Sequence, residues 1–259
     1  MVDLSFSILE LEFFLLVVVR VTGFIYAAPF FGMSDTPNRV KIALGVLISI
    51  LIYQRVGSNP LEYSSVLGFA ILVIKEAVCG IIIGLSAAIC VSILNFAGQL
   101  VDMEIGLSMV SLFDPVSRDS VTISSTYFNY SVTLMLLISG LYQYVLAALI
   151  ESFTLIPVSG AIFASDKLLN ALLLFLRDYL SIGFRLCLPV FASMLLLNGI
   201  LGILAKVSPQ LNMFAVGIQL KILVGLGVLF LTVAMLPTAS TLILGEIKRS
   251  MTIFVEAMM

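Results

Sequence analysis

The residues best placed to do chemistry are charged side chains set in apolar sequence. Arg20, the adjacent Lys75 and Glu76, Arg185 and Lys221 lie in or beside long runs of Val, Leu, Ile and Phe, and Asp102, Glu104 and Glu151 follow further apolar stretches. A charge at the centre of a lipid-facing helix costs about 2.5–3.5 kcal/mol on insertion scales, so each needs a partner, an interface or a function. One chemistry is a proton or cation pathway through Glu76, Asp102, Glu104 and Glu151, as in an ion-coupled secondary transporter. The other is structural pairing inside a helix assembly. Lys75 and Glu76 point about 100° apart on a helix and cannot simply neutralise each other, so each requires a partner elsewhere.

Other chemistries have little to stand on. There is no histidine, which removes the commonest general base and transition-metal ligand. Cys79, Cys90 and Cys187 sit singly in apolar runs, with no C-x-x-C pair, and read as small buried hydrophobes rather than metal ligands. No G-x-S-x-G is present. The expectation is a protein that is not an enzyme, with no catalytic residues, no cofactor and no metal. A net charge of −2 offers no basic field for nucleic acid.

The elements that position these residues must be helices in a greasy environment. The chain of 259 residues is 61% hydrophobic and 11% charged, where a soluble domain has roughly 45–50% and about 25%. Such a surface has to be covered by lipid, by partner subunits or by both. Six apolar segments stand out, at 13–31, 42–53, 66–96, within 120–150, 186–205 and 222–244. All but the second approach the roughly 20 residues that span a bilayer. Residues 168–179 predict a separate amphipathic helix with Arg177 and Asp178 at its end, and Pro189 predicts a kink. Gly80-x-x-x-Gly84 and Gly225-x-Gly227 suit close helix packing. Asp3, Glu10 and Glu12 precede the first run and Arg20 interrupts it, which favours a retained helix over a cleaved signal. Basic residues after the first segment (Arg39, Lys41) and near the end (Lys248, Arg249) do not fit six simple passes, so at least one segment is expected not to be one.

Residues 95–115 combine a polar helix end, Gln99, Asp102 and Glu104, with a stretch rich in Met, Ser and Gly that closes at Asp114-Pro115. Methionine and phenylalanine are adaptable hydrophobic filler. A loop carrying Leu107, Met109, Val110, Leu112 and Phe113, with Gly106 as a weak point, could plug an aperture and repack when something passes.

Four stretches, in order, resemble the FliR family of the flagellar type III export gate and its SctT-type injectisome counterparts. They are Arg20–Phe24 continuing through Ala28–Gly32; Ala97–Asp102 with Gly106 and Asp114-Pro115; Glu151–Pro157; and Ser208–Phe214 with Gly217 and Leu220-Lys221-Ile222. Gln219 stands where the family often has Pro, and Leu141 follows Gly140 where Gly or His is frequent. The resemblance implies an all-α, polytopic hydrophobic helix assembly, with FliP-like helices and a plug loop over 1–180 and a FliQ-like helical hairpin over 181–259. It implies a structural and gating subunit of the export channel core in the bacterial inner membrane, at a flagellar basal body or injectisome base. FliP-, FliQ- and FlhB-type subunits, lipid and unfolded export substrates are the implied partners. The loop at 105–119 would be the channel plug, and Pro209, Gln210, Asn212 and Lys221 would contact the next subunit. A transporter would be expected to show internal repeats, and no convincing repeat relates the two halves.

Overall fold

The computed structural model describes residues 8–32, 36–57, 63, 65–108, 122–208, 210 and 213–259. Among these the secondary structure is helical, without strands. The helices are α1 (Ile8–Ala27), α2 (Asn38–Val56), α3 (Val66–Ile105), α4 (Ile123–Ile138), α5 (Leu141–Leu155), α6 (Ser165–Val207), α7 (Met213–Thr232) and α8 (Leu236–Ala257), with a 3-10 turn at Val233–Met235 between the last two. The all-α, polytopic architecture expected from the apolar segments is the one observed.

Local chemistry sets several boundaries. Pro37 stands immediately before α2 with φ −56°, as suits a residue that lacks the N–H a helix interior needs. Gly140 adopts φ +77° between α4 and α5, the left-handed region that glycine occupies without steric cost. It therefore divides the uncharged run expected at 120–150 into two helices. The segment expected to be short, 42–53, is extended to the 19 residues of α2 by flanking polar side chains. The amphipathic stretch at 168–179 is not separate: it is continuous with 186–205 in the 43-residue α6, which runs through Pro189. Exposed Arg177 and half-buried Asp178 bond to each other, Nε to Oδ1 at 3.0 Å, rather than ending the helix.

Three stretches are long and apolar enough to cross a membrane: Val66–Ile105, Ser165–Val207 and Ala215–Ala257. The α4–α5 pair supplies a fourth if it forms one broken span. Helix α1 has the length, but Glu10, Glu12 and Arg20 lower its apolar character.

The chain divides into two compact units. The first comprises Met1–Cys90, Gly140–Phe175 and Glu246–Met259; the second comprises Val91–Ser139 and Leu176–Gly245. In the first, Phe13, Leu16, Val17, Val21, Phe24, Ile83, Val145 and Leu149 are buried. In the second, Leu94, Ala97, Val101, Val132, Leu136, Val190 and Met194 are buried.

Helix α3 meets α1 through small residues. A Cβ on Gly80 would lie 2.1 Å from the Arg20 carbonyl oxygen, whereas one on Gly227 of α7 would meet nothing within 4 Å. Gly80→Ala is therefore expected to destabilise the chain by about 1–3 kcal/mol, the usual range for overpacking. Gly227→Ala should leave stability unchanged or raise it by about 0.5–1 kcal/mol, since an exposed helical glycine costs that much relative to alanine. Thermal unfolding of both variants in detergent checks this. Equal midpoints would mean that the close α1–α3 approach contributes nothing.

Candidate functional site

Two buried polar clusters, one in each unit, take up three of the eight charged residues flagged in the sequence: Arg20, Glu76 and Asp102. The first is built on Arg20, which is fully buried on α1, and Glu76, fully buried on α3. The Arg20 guanidinium donates to both carboxylate oxygens, from Nε to Oε2 and from Nη2 to Oε1 at 3.0 Å. Its remaining capacity goes to the end of α5 and the turn beyond: Nη1 donates to the Ile156 carbonyl at 2.8 Å and the Ser152 carbonyl at 3.4 Å, and Nη2 to the Pro157 carbonyl at 3.4 Å. Phe153 places its ring centroid 4.4 Å from the guanidinium carbon. The last carbonyls of a helix have no partner within it and carry partial negative charge, so one cation both pairs with Glu76 and closes α5. Glu76 in turn accepts from the Ser159 N–H at 2.9 Å, which helps hold Ser159 in the left-handed conformation at φ +74°.

This cluster explains two motif stretches at once. Arg20–Phe24 and Glu151–Pro157 are far apart in sequence and meet through the guanidinium. Lys41, read beforehand as an orientation signal, is buried and donates from Nζ to the Gly32 carbonyl at 3.1 Å, over the ring of Tyr26. It is a tether for the turn after α1, so its charge is a weak guide to which side of a membrane that turn faces.

The second cluster sits at the end of α3. Asp102 is fully buried and accepts from the Ser124 N–H at 2.8 Å and from the Ser124 hydroxyl. A carboxylate from another helix thus caps the first turn of α4, satisfying donors that have no partner within that helix. One turn earlier on α3, Gly98 lets α4 come so close that a Cβ there would lie 2.2 Å from the Cα of Ser125. Asn95 continues the seam: its Oδ1 accepts from the Ser125 hydroxyl at 3.1 Å and from Asn129 Nδ2 at 3.0 Å. Meanwhile Gly106, at φ +91°, ends α3 with its N–H on the Asp102 carbonyl at 3.0 Å. Both sides of the 107–121 segment are therefore fastened to Asp102, by its backbone on one side and its side chain on the other.

The remaining predicted residues are dispersed. Gln99 and Glu104 are half-buried on α3, as are Gly106 and Leu107 at its end. Glu104 borders a cleft of about 370 Å³ with Leu100, Met103, Phe184, Cys187, Leu188 and Phe191. Gln210 is exposed and Lys221 is half-buried on α7. Met109, Val110, Leu112, Phe113, Asp114, Pro115, Pro209 and Asn212 lie outside the described residues. Three of the four carboxylates of the transporter reading have other settings: Glu76 is consumed by Arg20, Asp102 by Ser124, and Glu151 is exposed. Among the described residues no His, Cys, Asp and Glu group could hold a metal ion. Sequence reasoning missed Glu76 as the partner of Arg20 and missed Asn95, Ser124 and Ser125 altogether.

Comparison with known proteins accounts for the motif spacing. The family model for bacterial export proteins, family 1, matches residues 11–247. The flagellar biosynthetic protein FliR of Pectobacterium carotovorum subsp. carotovorum is 30% identical over 233 residues, covering 88% of this chain and 87% of its own. The FliR proteins of Bacillus subtilis (strain 168), at 28% identity, and Aquifex aeolicus (strain VF5), at 26%, match over 82% and 86% of this chain and 82% and 85% of theirs. Matches of this extent, over a helical chain whose motif residues form its two buried polar clusters, have one consequence: the chain belongs to the FliR family of bacterial export proteins.

Proposed function

We propose that this chain is a structural and gating subunit of the flagellar type III export channel, in the inner membrane at the basal body. It would assemble with FliP- and FliQ-type subunits, and with an FlhB-type subunit, to pass unfolded substrates. In this reading residues 1–180 form the FliP-like part and 181–259 the FliQ-like hairpin. The segment from Gly106 to Phe113 is the plug, with Leu107, Met109, Val110, Leu112 and Phe113 as its apolar bulk. Asp114 and Pro115 close the segment, and Glu104 and Asp114 stay hydrated at the channel wall; Asp102, expected there with them, is instead fully buried on Ser124.

The observation that carries this reading is the double fastening at Asp102. A segment that must yield to a passing chain and then reseal needs fixed ends, and a buried carboxylate that caps α4 while its backbone terminates α3 provides them. Ion conductance with and without the segment tests the gate. The transporter reading is disfavoured by the separate structural partners of Glu76 and Asp102.

Assembly has its own test. The turn at Pro209, Gln210 and Asn212, together with Lys221, is the proposed contact with the next subunit, and Gln210 is exposed. In an otherwise cysteine-free chain, Gln210→Cys should crosslink to a FliP- or FliQ-type subunit bearing a cysteine, in native membranes. Crosslinks confined to this chain would remove the turn from the proposed interface.

A further inference from the structure

We propose that the second unit carries a binding site for an anionic phospholipid, with one acyl chain in an apolar cleft of α4, α6 and the α7–α8 junction and the lipid phosphate on Arg185. The cleft holds about 310 Å³ and is lined by Leu94, Phe128, Val132, Pro189, Leu236 and Ala239 among others, with Arg185 the one charged residue on its wall.

Two breaks in helix geometry border the cleft. Pro189 has no N–H, so the Arg185 carbonyl one turn earlier lacks its usual helical donor. Opposite, the 3-10 turn Val233–Met235 interrupts the helices at Thr232 and Leu236, and a tighter turn displaces side chains from the register an α-helix would give them. The lining is predominantly aliphatic and aromatic, which suits a hydrocarbon chain better than a polar metabolite.

Arg185 supplies the other half of the recognition. It is the only charge between residues 179 and 205, it is exposed, and it lies within one of the three stretches long and apolar enough to cross a membrane. Among the described residues it has no ion-pair partner, unlike Arg20 and Arg177. A guanidinium in apolar surroundings needs an anion, and its planar donors match phosphate in a two-point contact. A membrane supplies acyl chain and phosphate in one molecule, and basic pockets between membrane helices bind anionic headgroups.

The test uses the full chain, with any subunits that co-purify, in detergent. Dioleoyl phosphatidylglycerol and dioleoyl phosphatidylcholine are added separately and bound lipid is counted by native mass spectrometry. The wild type should retain phosphatidylglycerol about fivefold better, the ratio that one basic residue's attraction to an anionic headgroup gives. Arg185→Gln should abolish the preference, lowering phosphatidylglycerol retention more than phosphatidylcholine retention, and Arg185→Lys should keep most of it. Ala239→Leu, which fills the cleft, should lower retention of both lipids; if that variant aggregates, Thr238→Leu on the exposed rim replaces it. Inorganic phosphate should not displace the lipid. An undiminished preference in Arg185→Gln, or unchanged retention when the cleft is filled, overturns the proposal. Displacement by inorganic phosphate would mark a free-anion site and overturn it equally.

Discussion

Replacing Arg20 with Leu should remove most of the chain from the membrane fraction, and adding Glu76→Leu should restore much of it. The single change leaves a fully buried carboxylate facing only the Ser159 N–H, and breaking a buried ion pair from one side costs about 3–5 kcal/mol. That approaches the whole stability of many domains. Replacing both partners removes the uncompensated charge, and a well-packed apolar pair is often no less stable than the ion pair it replaces. Recovery should stay incomplete, because the Ile156 carbonyl also loses its donor, a loss of roughly 1 kcal/mol. Chain abundance in membranes and the unfolding midpoint in detergent are the readouts. A double variant as poor as Arg20→Leu alone would mean that the carbonyl contacts, not the ion pair, hold this unit together.

Asp102→Ala should leave the chain folded and disturb the segment it fastens. The substitution removes the cap on the first turn of α4 and leaves the Ser124 N–H and hydroxyl without acceptors. Loss of a capping side chain costs about 0.5–2 kcal/mol, and a buried unsatisfied group about 1–3 kcal/mol. Asp102→Asn keeps an acceptor of the same shape and should fall between. Amide hydrogen exchange across 122–130 should accelerate in Asp102→Ala by one to two powers of ten, while exchange near Arg20 and Glu76 is unchanged. Unaltered exchange at the start of α4 would mean that the Asn95, Ser125 and Asn129 seam suffices alone.

The sequence made some of this legible and hid the rest for identifiable reasons. Arg20 declares itself because an arginine inside an apolar run must be satisfied by something. Its partner lies 56 positions away, and no local pattern says which helices cross. A signal was nonetheless present: Glu76, Gly80 and Gly84 recur every fourth residue and so share one face of α3. A carboxylate beside two glycines marks where another helix comes close enough to deliver a cation. Gly98 and Asp102 repeat the device, and there the motif pointed to the residues but not to Ser124 as what they hold. The extent of α6 was hidden because Arg177 and Asp178 look like a terminus, whereas they bond to each other within a continuous helix. Gly140 was flagged only as a motif position, although its left-handed backbone is what divides the fourth apolar segment. The family resemblance was carried by motif residues, and three of the four motifs contribute side chains or backbone to the two buried clusters.

Ion conductance of the assembled complex, with and without residues 106–113, tests the central claim most directly. An idle channel must hold back ions against about 2.3 kcal/mol per charge for every 100 mV, so whichever segment seals it cannot be removed silently. With Asp102 and Ser124 retained, deletion of Gly106–Phe113 should leave subunit composition unchanged and raise small-ion conductance well above that of the intact complex. Conductance equally low in both would place the seal in another subunit and leave this segment a connector between α3 and α4.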